Sequence, residues 1–144
     1  MALNTIFVTS AKKRVKTLLP EQHRERLGGC HPKLVWRIGA VINELEGKGI
    51  KMMVAPDGGL RTLRKQKALY AQGRTKPGRI VTYADGVKVK SRHQSGRAAD
   101  CCFRGSDPYG EQHPWDEYGK TVRKWGLSWG GDWKKPDRPH AELS

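Results

Sequence analysis

The sequence is short of what several protein classes require. No apolar run approaches the roughly 18 residues of a membrane span, and mean hydropathy is -0.74. Residues Met1 to Ser10 lack the charged start and long apolar stretch of a secretory signal. Low complexity and repeats of 20–50 residues are absent too. A membrane protein, a solenoid and a signal-bearing secreted protein are therefore not expected. Cysteine is scarce: Cys30, Cys101 and Cys102 are the only three. The count is odd, two are adjacent, and no C-x-x-C occurs, which predicts free thiols and a reducing compartment of synthesis. A zinc site on Cys101 and Cys102 is a minor alternative to buried packing. Acidic residues are also few, 14 against 28 lysines and arginines, leaving a net charge of +14. That field draws the chain towards polyanions: nucleic acid, teichoic acid, lipopolysaccharide or anionic lipid.

What is present suits one domain. The 144 residues lie within the roughly 100–200 of a typical domain, and five Trp, four Tyr and two Phe can anchor a core. A basic amino-terminal segment, with Lys12, Lys13, Arg14 and Lys16 after Ser10, reads as a short surface helix before Pro20. Pro32 then opens an amphipathic helix. Leu34, Val35, Ile38, Val41, Ile42 and Leu45 mark its apolar face, and Gly47 and Gly49 end it. Ile50, Met52 and Val54 alternate as a half-buried strand. A shorter helix is expected over 62–72. Ile80-Val81-Thr82 and Val87-Lys88-Val89 flank Asp85-Gly86 as a hairpin. Alternation continues from His93 to Phe103. A helix is expected over 116–125, and short strands over 127–133 and 140–143. The mixture predicts an α+β fold.

The chemistry gathers around Ser91-Arg92-His93-Gln94-Ser95-Gly96-Arg97-Ala98-Ala99-Asp100. An imidazole and a carboxylate stand seven positions apart, and Gly96 between them permits a bend that lets them converge. Imidazole nitrogen with carboxylate oxygen suits zinc, whose catalytic sites commonly take three protein ligands and leave one position open. Among His23, His31, His113 and His140, the last is the best third ligand. It opens a strand and follows Asp137-Arg138-Pro139. Asp137 is placed to handle a proton beside the metal, with Glu142 as the alternative, two residues along the same strand face.

These residues fall in a recognisable order. Ser91-x-His93-x-x-Gly96-x-Ala98-x-Asp100 resembles the first metal motif of the M15 family of zinc peptidases. Gly126-Leu127-Ser128-Trp129-Gly130-Gly131-Asp132-Trp133-Lys134, followed by Asp137-Arg138-Pro139-His140-Ala141-Glu142, resembles the second. Arg61-Thr62 with Gln66, the run Leu69 to Gly78, and Gly29 to Val35 before the long helix match as well. The resemblance spans roughly 26–143, with 1–25 as a basic preface to a single peptidase domain. It implies a small central antiparallel sheet carrying one zinc ion and packed by helices, like the hedgehog and D-Ala-D-Ala peptidase folds. Its zinc ligands fall on His93, Asp100 and His140, its catalytic carboxylate on Asp137, and its oxyanion- or substrate-binding arginine on Arg61. Ser91, Gln66 and Trp129 are candidate substrate contacts; core packing is the favoured role for most of Trp125, Trp129 and Trp133, with Trp129 or Trp133 lining a peptide groove as the alternative. Ala141, where relatives often carry an aromatic, and Cys101-Cys102 depart from the family pattern as packing changes.

The implied activity is hydrolysis of the L-alanyl-D-glutamate bond in peptidoglycan stem peptides, as in a phage endolysin. Such a monomeric enzyme would be made in the cytoplasm, released to the wall through a holin, and drawn to the anionic envelope by its charge. A D-alanyl-D-alanine carboxypeptidase of the same family is the alternative. Competing classes are a non-catalytic zinc-containing wall- or polyanion-binding protein, a nucleic-acid binder and a cysteine hydrolase. No finger, RNA-binding or helix-turn-helix motif supports specific nucleic-acid recognition.

Overall fold

The computed structural model describes residues 21–144; the basic surface helix expected before Pro20 lies outside them. Helix α1 (Glu21–Arg26) leads into α2 (Pro32–Gly47), strand β1 (Met52–Val54), helix α3 (Leu63–Ala71) and strand β2 (Ala98–Phe103). Helix α4 (Trp115–Lys124), strand β3 (Ser128–Trp129) and strand β4 (His140–Glu142) follow. Single 3-10 turns stand at Arg92–Ser95 and Gly130–Asp132. The four strands form one antiparallel sheet in the order β1-β2-β4-β3. The architecture is the expected α+β one.

Helix α2 forms where the apolar spacing predicts it. His31 caps it through Nδ1, which accepts from Lys33 N–H at 3.1 Å, and Pro32 occupies the first turn. Its face of Leu34, Ile38, Val41, Ile42 and Leu45 is buried against Tyr118 and Val122 of α4 and against Met52 and Val54 of β1. Removing these side chains from water, at about 25 cal/mol per Å² of apolar surface, is the main force holding helices and sheet together. Cys101 and Cys102 are buried packing residues. Cys101 lies in the core cluster, and burial pushes its thiol up to about 12.

Three local expectations give way. The Asp85-Gly86 hairpin is not formed. Asp85 Oδ1 accepts from the backbone N–H groups of Val87, Lys88 and Val89 at 2.9–3.0 Å, so those amides turn inward onto one carboxylate. The alternation from His93 becomes strand only at Ala98, because the Ser91 side chain caps a 3-10 turn over Arg92–Ser95. The strand over 127–133 stops at Trp129, where Gly130 and Gly131 turn the chain. Helix α1, which the periodicity did not suggest, is tied to the sheet by Arg26, whose Nη1 donates to the Val54 carbonyl at 2.7 Å.

Candidate metal centre

Two adjacent strands place two of the expected ligands face to face. Asp100 on β2 and His140 on β4 are register partners, so the ladder that pairs the backbones also sets the distance between the side chains. His93 arrives from the 3-10 turn. Ser91 caps that turn, its Oγ accepting from His93 N–H at 3.2 Å while Gln94 Oε1 accepts from Ser91 N–H at 2.9 Å. Gly96 ends the turn at φ +69°, and a Cβ there would lie 3.0 Å from Cys30 Cα and from the Gly29 carbonyl. Both conformation and space restrict the position to glycine.

His93 Nε2 and His140 Nδ1 stand 3.4 and 3.5 Å from the same oxygen, Asp100 Oδ1. The other nitrogen of each ring has its own acceptor. His93 Nδ1 faces the Gly59 carbonyl at 2.9 Å, and His140 Nε2 faces Glu142 Oε2 at 2.8 Å. If those outer nitrogens carry the protons, both inward nitrogens present lone pairs. Asp100 Oδ1 is buried with no hydrogen-bond partner. Three acceptors around one point repel one another unless a cation sits among them. Two imidazole nitrogens and one carboxylate oxygen, with a side left open, suit a zinc ion. Among the described residues no other group of three His, Cys, Asp or Glu side chains gathers in this way.

The titration of the bare site agrees. Burial disfavours the charged His140 imidazole, yet Asp100 and Glu142 outweigh it and raise its pKa to about 9. Burial likewise pushes the Asp100 carboxyl up, but the facing His140 and His93 hold it well below the usual carboxylate range. Protons thus collect where a metal would sit, and a metal must displace them.

The remaining site residues rim this cluster. Asp137 Oδ2 is 4.0 Å from His140 Nδ1, on the inward side of the ring, and half-exposed. Burial and the neighbouring Asp100 raise its pKa. Its loop is fixed by Asp137 N–H donating to the Gly130 carbonyl at 2.9 Å. Gly130 is enclosed, since a Cβ there would lie 2.3 Å from the Asp137 carbonyl oxygen and 2.9 Å from His140 Cβ. Arg61 Nη2 lies 3.7 Å from Asp100 Oδ2, and its Nη1 donates to Gln66 Oε1 at 2.9 Å. Desolvation lowers the Arg61 pKa against the opposing pull of Asp100 and Asp137.

The expected substrate contacts separate. Gln66 is fully buried, its amide donating to Thr82 Oγ1 and the Ala84 carbonyl, so it grips Arg61 from behind. Ser91 is engaged in its cap. Trp129 is in the core, its Nε1 donating to the Arg138 carbonyl at 2.7 Å. The tryptophan beside the cluster is Trp133, half-exposed, with its ring centroid 4.7 Å from that of His140. Glu142 touches the outer nitrogen of His140, across the ring from Asp137. A surface cavity of about 360 Å³ opens beside Asp137, with Tyr109, Glu111 and Trp115 on its wall.

An antiparallel sheet holding a His-Asp-His cluster, with a second acid and an arginine at its edge, defines the class: a zinc-site hydrolase. Comparison with known proteins gives the family. Residues 85–143 match the M15 peptidase pattern described as D-alanyl-D-alanine carboxypeptidase. The chain is 35% identical over 125 residues to the peptidoglycan L-alanyl-D-glutamate endopeptidase CwlK of Bacillus subtilis (strain 168), covering 78% of this chain and 72% of that protein. Its fold resembles the Serratia marcescens L-Ala D-Glu endopeptidase ChiX, with TM-score 0.57, 27% identity, and 86% and 87% of the two chains covered. It also resembles a vancomycin-resistance D,D-pentapeptidase, VanY, from a VanB-type cassette, solved with Zn(II). There the TM-score is 0.58 at 17% identity, over 79% and 72% of the chains. The chain belongs to the M15 family of zinc-dependent peptidases. It is a hydrolase.

Proposed function

We propose that this enzyme hydrolyses the L-alanyl-D-glutamate bond of peptidoglycan stem peptides, with His93, Asp100 and His140 as zinc ligands. The observation that carries the ligand assignment is the convergence of His93 Nε2 and His140 Nδ1 on the buried, unpartnered Asp100 Oδ1. The choice of bond rests on the likeness to CwlK and ChiX.

A zinc ion held by His93, Asp100 and His140 would supply Lewis acidity for water and the scissile carbonyl. The protein supplies the rest. Asp137, on the inward side of His140, accepts the proton of the attacking water and returns it to the departing amine. Its raised pKa moves it towards the range where a carboxyl can do both. Glu142 is the weaker candidate because its carboxylate is committed to the outer nitrogen of His140. Arg61, fixed by Gln66, offers N–H groups where negative charge develops on the attacked carbonyl. Trp133 and the cavity beside Asp137 flank the position of the peptide.

In this reading the chain acts as a single monomeric peptidase domain, a phage endolysin released to the wall through a holin. The net charge of +14 brings it to the anionic envelope. The test is digestion of purified peptidoglycan with and without chelator, the products read by mass spectrometry. Stem peptides beginning at D-glutamate, lost on chelation, are expected. Release of terminal D-alanine alone would favour the D-alanyl-D-alanine carboxypeptidase reading, which the description of the matching family pattern supports. No cleavage by zinc-loaded protein would leave a binding role.

A further inference from the structure

We propose that the excursion between Arg61 and His93 is a docking surface for a bilayer rich in anionic phospholipid. This gives the envelope-seeking charge of the preceding reading a definite place and partner. It does not depend on which bond is cut.

The charge is unevenly placed. From Arg61 to Arg92 the sequence carries ten lysines and arginines and a single acid, Asp85. Asp85 is turned onto its own backbone, accepting from three successive N–H groups. The same stretch exposes apolar side chains that core packing leaves out: Ile80, Val81, Tyr83, Val87 and Val89 are 47–61% exposed. These residues are interleaved with the cations Arg79, Lys88 and Lys90.

The display is anchored. Gly86 N–H donates to the Val89 carbonyl, and the Gly86 carbonyl accepts from Gln94 of the His93 turn, both at 3.0 Å. Lys135 Nζ donates to Tyr83 Oη at 3.0 Å. The β-branched residues Val87 and Val89 therefore project from a tight turn bonded to the catalytic framework.

A soluble polyanion would use the cations and gain nothing from exposed valine and isoleucine. The headgroup–acyl boundary of an anionic leaflet uses both, cations at the phosphates and apolar tips just below them. Exposed apolar residues rimmed by charge are the usual mark of such a surface. Arg61 N–H donates to the His93 carbonyl at 2.9 Å, so the excursion begins and ends at the metal centre. Docking through it would hold that centre beside the membrane.

The experiment is co-sedimentation of the zinc-loaded full chain with vesicles of phosphatidylcholine alone or with 30% phosphatidylglycerol, in physiological salt. Binding to the mixed vesicles and little to phosphatidylcholine is expected. Val87→Ser with Val89→Ser, and separately Lys88→Glu with Lys90→Glu, should each weaken it by about tenfold or more. Lys33→Glu with Lys51→Glu, the same charge change away from the excursion, should leave binding near that of the unaltered protein. Each double variant should cleave a soluble stem peptide at the unaltered rate, which separates failure of docking from failure of the peptidase reading. Three results would overturn the proposal: equal binding to both vesicles, equal loss in the Lys33/Lys51 variant, or undiminished binding by the valine variant. The last would show attraction by charge alone, as to a wall polymer.

Discussion

The two halves of the candidate metal centre are built differently. Asp100 and His140 sit on paired strands, where the ladder fixes them as register partners. His93, Arg61 and Asp137 come from turns and loops, each held by a few specific bonds: the Ser91 cap, the Gln66 amide and the Gly130 carbonyl. The strand half has its spacing set by the regular structure of the sheet. The loop half depends on individual side chains and backbone contacts for its precision. Substitutions should therefore cost function in different ways: metal retention at the proposed ligands Asp100, His140 and His93, and turnover at Arg61 and Asp137.

The sharpest test of that division is His140→Ala. It should release the metal and reduce hydrolysis to background, read by metal analysis of the purified protein and by peptide cleavage. Asp137→Asn should instead retain the metal while kcat falls by about 10²–10⁴; near-normal turnover would remove Asp137 from the mechanism. Glu142→Gln alters a carboxylate that meets the outer nitrogen of His140 through one oxygen and faces Arg92 Nε, at 3.9 Å, through the other. It should weaken metal affinity by about 10–100-fold, measured by competition with a chelating dye, with a smaller effect on the turnover of metal-saturated enzyme. The mildest effect is on stability against pH. In metal-free protein the His140 pKa is raised from 6.5 to about 9. A raised pKa means the folded state holds the proton more tightly, so this contribution is complete below about pH 6.5 and is lost as pH rises to about 9. The Tm of chelated protein should fall across that window, and the decline should shrink in His140→Ala. An identical decline in both would assign it to another group.

The sequence revealed these halves unequally. Pro32 and the 3.6-residue apolar spacing marked α2 because a helix buries one stripe whatever its partner. The convergence of His93, Asp100 and His140 was legible because metal chemistry restricts residue types and Gly96 supplied the bend. The Asp85-Gly86 turn was misread because the same residues that start a hairpin can fold back on one carboxylate when no neighbouring strand takes up the amides. Gln66 could be flagged by family pattern alone. Its grip on Arg61 depends on Thr82 and Ala84, sixteen and eighteen residues away, a separation no local pattern encodes. Trp133 and Trp129 are four residues apart with similar neighbours, and only the turn at Gly130-Gly131 decides which one reaches His140.

The bond from Arg61 N–H to the His93 carbonyl has an evolutionary consequence. It joins the ends of a long surface segment at a point already fixed by the metal centre. Adding residues to such a segment costs little, because loop-closure entropy grows only with the logarithm of length. Provided Gln66 and its partners persist, the intervening chain can change length, charge and greasiness while His93 stays in place. On the docking proposal above, the segment would serve as an exchangeable address label, and one catalytic core could be sent to different surfaces by rewriting its exposed residues.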